Sequence, residues 1–169
     1  MWTTPGAKTN LTRLHRRAAG GQRVLDRAPQ SHWRTTTLLA ALRLDGATAP
    51  LLIEGPTDTV VFQAYVQQVL APSLRAGDWV VLDNLSPHKA SAVQAAIAAV
   101  GARVVFLPPY SPDLNPVEQL WSKVKAFLRQ WKARTLEALI AAIRQALKTV
   151  TAADARGWFR HCGYVNTQD

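Results

Sequence analysis

The hydrophobic pattern along the chain sharpens near residue 35 and then alternates between two periods. Thr36-Thr37-Leu38-Leu39-Ala40-Ala41-Leu42-Arg43-Leu44 runs into Asp45-Gly46 and then Pro50-Leu51-Leu52-Ile53, as two strands joined by a turn would, so a β-hairpin is expected. After Gly55-Pro56, the residues Val60, Val61, Ala64, Tyr65, Val69 and Leu70 recur at helical spacing, which predicts a helix from about Asp58 to Val69 closed by Pro72. An apolar strand, Trp79 to Leu82, precedes a helix from about Lys89 to Val100, with Val93, Ile97 and Val100 facing inward, and a second apolar strand, Arg103 to Leu107. Strand, helix, strand implies a parallel pair with a right-handed crossover. Asn115 reads as an N-cap and Pro116 as the first helical residue, while Val117, Leu120, Trp121, Val124, Leu128 and Trp131 make one apolar stripe. A helix from about Leu136 to Val150 completes the core.

With 169 residues, 48% of them hydrophobic, the chain has material for one domain with a single core. The economical division is a basic amino-terminal arm over 1–33, a mixed α/β core over 34–150 and a carboxy-terminal tail over 151–169. The arm holds Lys8, Arg13, Arg16, Arg17, Arg23 and Arg27, with a short strand expected near Asn10 to Leu14. Twenty Lys and Arg against 11 Asp and Glu give a net charge of +9, which suits a polyanionic partner, either nucleic acid or an anionic membrane surface. Apolar stretches fall short of the roughly 20 residues that span a bilayer, and no signal-type apolar core follows Met1, so a soluble, cytoplasmic protein is expected. A lone cysteine, Cys162, makes an internal disulfide impossible and argues against a structural zinc site.

Two carboxylates carry the candidate chemistry. Asp83 follows four apolar residues, at the carboxyl end of a strand where open α/β sheets place their ligands; it also reads as a turn-starting Asp before Asn84. Glu118 falls at the third helical position, where its side chain can reach back to the Asn115 N–H as in a capping box. On a helical wheel it lies beside the apolar stripe, with Ser122, Lys125 and Arg129. Paired acids suit phosphodiester chemistry, which uses acidic oxygens to hold divalent ions near the attacking and leaving oxygens. Asn84, His88 and Asn115 suit orienting those carboxylates or contacting phosphate, and each also has a turn or cap explanation. Lys89, together with Lys123, Lys125, Arg129 and Lys132 on the Glu118 helix, would place positive charge as a DNA-binding face requires. A solvated helix face has the same pattern.

Val81-Leu82-Asp83-Asn84 with His88-Lys89, followed by Leu107-Pro108-Pro109-Tyr110-Ser111-Pro112-Asp113-Leu114-Asn115-Pro116-Val117-Glu118-Gln119-Leu120-Trp121, closely resembles the DDE transposases of the Tc/mariner superfamily, especially the bacterial insertion-sequence branch. Residues 84–117 separate the two acids, the spacing of that branch. Lys8-Thr9-Asn10, Thr35-Thr36-Thr37, Leu42-Arg43-Leu44-Asp45-Gly46 and Gly77-Asp78 extend the resemblance over nearly the whole chain. It implies a ribonuclease H-like mixed sheet flanked by helices. It also implies Asp83 as second acid and Glu118 as third, holding two Mg²⁺ or Mn²⁺ ions for DNA cleavage and strand transfer, with element ends, target DNA and further transposase subunits as partners.

The chain departs from that family at the front, where the first catalytic Asp should end a strand just before a segment like Trp2 to Thr12. No acid matches that place; Asp26, the only acid before Asp45, lies past the matching segment. A chain truncated at its amino terminus, lacking the first strand, first acid and end-reading helix-turn-helix, is therefore expected. Losing a central strand would leave buried backbone groups unpaired at roughly 1 to 3 kcal/mol each, unless the amino-terminal segment fills the gap. Three readings stand: the catalytic portion of a transposase that acts in a full-length form, an inactive remnant that binds nucleic acid or transposase subunits, and a ribonuclease H-type nuclease.

Overall fold

A computed structural model of the chain describes residues 6–7, 36–46 and 48–164. The basic arm apart from Gly6 and Ala7, the strand expected near Asn10 to Leu14, and Asp26 lie outside the described residues. β1 (Gly6–Ala7), β2 (Thr36–Leu39) and β3 (Leu51–Glu54) form one antiparallel sheet in that order. The hairpin runs from Thr36 opposite Glu54 to Leu39 opposite Leu51, and a bridge between Leu42 and Thr48 carries it toward the Asp45-Gly46 turn. β4 (Trp79–Leu82) and β5 (Arg103–Phe106) form a second, parallel pair in register from Trp79↔Arg103 to Leu82↔Phe106. As expected, a helix, here Ser91–Ala99, connects them.

β1 lies on the edge of β2 away from β3, with Gly6 opposite Thr37 and Ala7 opposite Thr36. Gly6 and Ala7 thus pair with part of the β2 edge that a missing first strand would leave open. Among the described residues, no ladder joins β2 to β4.

α1 (Thr59–Tyr65) continues through a wide π turn, Val66–Leu70, into α2 (Ala71–Ser73). Its first turn is capped by Asp58, whose Oδ1 accepts the Val61 N–H at 2.8 Å. Pro72 does not close the helix at Val69. The Ala71 N–H reaches back to Val66 O, a looser register that accommodates a residue with no N–H of its own to donate. Val60 is 71% exposed and Phe62 takes the inward position instead. α3 is the Ser91–Ala99 crossover.

α4 (Val117–Trp131) buries Val117, Leu120, Trp121, Val124 and Leu128, five of the six expected stripe residues. Trp131 departs from the stripe: it is half exposed and stacks on Phe127, ring centroids 5.4 Å apart, one residue before left-handed Lys132 caps the helix. α5 is Leu136–Lys148. Beyond it, the expected tail contains a further helix, α6 (Ala152–His161), opened by a reciprocal capping box between Thr151 and Asp154 and burying Ala155 in the α4–α5 core. Its Ala-Ala-Asp-Ala-Arg-Gly start carries almost no apolar periodicity, so the capping pair was its only sequence signal. No helix among the described residues is long and apolar enough to cross a membrane.

β2 and the extended residues that follow it, to Leu42, divide two cores by a period of two. Leu38, Ala40 and Leu42 pack with Leu120, Trp121 and Ile143 on one face, and Leu39 and Ala41 pack with Phe62, Leu82 and Ile97 on the other. The hairpin tip is anchored twice. Arg43 holds Asp78 through contacts of 2.7 and 3.3 Å, and its hydrogen bond keeps the Asp78 carboxyl below the usual carboxylate range. Gly46 donates its N–H to Arg43 O at 3.0 Å. At φ +85° Gly46 faces the head of α6 so closely that a Cβ would lie 2.8 Å from both Thr151 C and Ala152 N.

Candidate active-site cleft

Parallel pairing sends the chain out of β4 and β5 at the same edge, so the two motif loops leave side by side; Leu107 N–H donates to Leu82 O at 2.8 Å between them. In the first loop, Leu85 N–H donates to Asp83 Oδ1 at 3.3 Å and a short 3₁₀ turn, Ser86–Lys89, folds the chain back. That turn brings His88 against Asp83, Nδ1 in contact with Oδ1. The imidazole is buried, its ring centroid 4.2 Å from that of Phe62. The ring thus packs on Phe62 on one side and meets the Asp83 carboxylate on the other. Phe62, which positions the ring, was read from sequence only as part of a helix.

In the second loop, Asn115 is 2% exposed and accepts the Val117 N–H through Oδ1 at 3.2 Å, the side-chain bond expected of it, although α4 begins at Val117 and Pro116 takes the cap position. Its own N–H donates to Pro112 O at 3.0 Å. That bond occupies the donor that a capping box with Glu118 would use. Glu118 instead lines a cleft of about 380 Å³ with Asp83, Asn84, Leu85, Lys89, Asn115 and the loop Leu107–Pro112. Acids separated by residues 84–117 therefore meet at one opening, with Asn84, Lys89 and Asn115 beside them and His88 behind Asp83. Tyr110 and Leu85, neither singled out in the sequence, form apolar parts of its wall.

Lys125 and Arg129 follow Glu118 at helical spacing along α4. Lys123 does not join them. Its ammonium donates to Asp154 Oδ2 at 2.6 Å and to Thr149 O at 2.7 Å, which ties α4 to the start of α6. A partner 31 residues away was not legible from the helix face alone. The Lys123 bond, aided by the Thr151 N–H and hydroxyl, holds the Asp154 carboxyl down at about 2. Because the folded-state value is depressed, the tie stabilises fully above the ordinary carboxylate pKa of about 4 and is lost as pH falls toward 2. Lys123→Met should therefore lower the melting temperature near neutral pH, and its difference from wild type should shrink on acidification through that window. Melts recorded across it would reject the tie if the difference held constant.

The sequence pattern of the DDE superfamily endonuclease family matches residues 5–140. No curated protein sequence matches the chain. Among solved structures, the Mos1 transposase paired-end complex with the left transposon end aligns over 94% of this chain and 50% of its own, at 16% identity and TM-score 0.73. The Mos1 strand transfer complex aligns over 94% and 49%, at 15% identity and TM-score 0.75. The catalytic core domain of BIV integrase aligns over 80% and 94%, at 18% identity and TM-score 0.55. The chain thus spans about half the length of the Mos1 structures it matches. These likenesses establish the expected ribonuclease H-like fold, small sheets flanked by helices. With a matched segment covering most of the chain and taking in both Asp83 and Glu118, the protein belongs to the DDE superfamily endonucleases.

Proposed function

We propose that the chain is the catalytic portion of a DNA transposase of the Tc/mariner superfamily, in its bacterial insertion-sequence branch, and that its cleft serves metal-dependent cleavage and joining of DNA strands. The observation that carries this reading is the meeting of Asp83 and Glu118 in one cleft at the carboxyl edge of β4 and β5. A net charge of +9, with Lys89 at the cleft and Lys125 and Arg129 along α4, supports DNA as the partner. So does the likeness to Mos1 structures that hold a transposon end. Association with a second copy or with full-length transposase subunits, in the cytoplasm, belongs to the same proposal.

Hard carboxylate oxygens suit Mg²⁺ or Mn²⁺, and Mg²⁺ is commonly held by one or two carboxylates together with water and substrate phosphate. Asp83 and Glu118 meet that minimum. Among the described residues no group of three or more acidic, His or Cys side chains gathers for a metal, so the cleaving form is one in which a further carboxylate joins this pair. Bound there, the cation supplies positive charge to the scissile phosphodiester. His88 orients Asp83, Asn115 fixes the turn that presents Glu118, and the basic residues offset phosphate charge.

The test is nicking of supercoiled DNA in Mn²⁺ by a full-length form that brings a further carboxylate to the pair. Nicked product that disappears with EDTA is expected. Salt-sensitive DNA binding by that form without nicking would reject the cleavage reading and favour a non-catalytic nucleic-acid-binding or subunit-binding module, the second reading that the two-acid cleft leaves open.

A further inference from the structure

The loop that walls the cleft carries an unusual residue. Tyr110 has φ 56°, a left-handed conformation that costs a residue with a Cβ on the order of 1 to 2 kcal/mol, and its side chain is fully exposed at 101%. The left-handed residue closes the turn between β5 and the segment before α4, but the turn has no need of the aromatic ring. The ring packs into neither core. The loop around it is nonetheless well held: Pro108, Pro109 and Pro112 restrict the backbone, Ser111 Oγ donates to Pro109 O at 3.3 Å, and Leu114 N–H donates to Ser111 O at 3.2 Å. A strained backbone kept in place by its surroundings, presenting a flat ring to solvent, is typical of a binding position. Leu85, in the Asp83 loop, is 50% exposed and lines the same cleft.

From this geometry we propose that Tyr110 is a stacking platform for an unpaired base, and that the cleft takes a single-stranded or frayed DNA end in preference to intact duplex. This rests on the cleavage reading above and names the form of its substrate. Tyr110, Asp83 and Glu118 line the one cleft, so a nucleotide whose phosphate faces the acid pair would have the Tyr110 ring on the same opening to receive its base. Aromatic rings bind unpaired bases because every base offers a π face, which a paired base keeps inside its own stack. Leu85 gives the base a second apolar contact, and Lys89 offsets phosphate charge at the same opening.

Fluorescence anisotropy with a labelled single-stranded oligonucleotide and its blunt duplex, at one salt concentration, tests this in wild type, Tyr110→Phe and Tyr110→Ala. Tyr110→Phe should retain the single-strand affinity, whereas Tyr110→Ala should lose roughly 5- to 100-fold on single strands and little on duplex. An unchanged melting temperature in both variants is expected of a side chain outside the cores. Equal single-strand affinity in wild type and Tyr110→Ala overturns the stacking role, and if the protein still nicks DNA the cleavage reading survives. Failure of the wild type to bind or nick any DNA overturns both.

Discussion

Asp83→Asn and Glu118→Gln should each reduce DNA strand cleavage by about 10²- to 10³-fold or more. Each change keeps the size and much of the hydrogen-bonding capacity of the side chain while removing its charge. A ligand carboxylate contributes several kcal/mol of charge stabilisation through the ion it holds, and each 1.36 kcal/mol is tenfold in rate. With only two acids at the cleft among the described residues, neither loss has a local substitute. DNA affinity measured separately should hold or rise, since the change removes negative charge beside phosphates. Cleavage lost with binding kept separates a chemical role from a structural one. A variant that cleaves as wild type does would remove its residue from the reaction.

Gly46→Ala carries the second large effect, on stability. A positive φ penalises any Cβ by about 1 to 2 kcal/mol, and at this position the Cβ would also meet backbone atoms of Thr151 and Ala152 at 2.8 Å. Backbone at the head of a helix cannot rotate away, so overpacking adds about 1 to 3 kcal/mol. A combined loss of roughly 2 to 5 kcal/mol is a large share of a typical stability of about 5 to 15 kcal/mol. Gly55→Ala is the internal control, with φ +103° and nothing within 4 Å of its Cβ, so it should show the conformational penalty alone. Urea unfolding of the two variants gives the comparison; equal losses would mean that α6 yields and the contact is soft.

Much of this architecture could be read from local pattern. The hairpin, the parallel β4–β5 pair with its helix and the α4 stripe all follow from apolar periodicity, which reports burial directly. The misreadings share a cause: each was decided by a partner remote in sequence or by backbone register. Pro72 is tolerated because the turn before it loosens. Lys123 looked like one more cation on a helix face until Asp154 arrived from α6. Glu118 reads locally as half of a capping box, but the Asn115 N–H it would bond is taken by Pro112 O. The specific motif is what singles out the two acids of the proposed pair, but no sequence pattern distinguishes an exposed, left-handed Tyr110 from an ordinary loop tyrosine.

The division of the interior by β2 bears on how the acid pair behaves over time. Asp83 follows a strand whose Val80 and Leu82 belong to the core with α1 and α3, while Glu118 rides on the helix that dominates the opposite core. A subglobal opening that slides one layer against the other would separate the carboxylates with every helix and strand still intact. Such openings lie below the global unfolding free energy. The pair is therefore a property of the assembled layers, and in hydrogen-exchange terms its integrity is set by the weakest cooperative unit between them and not by the stability of either element that carries an acid.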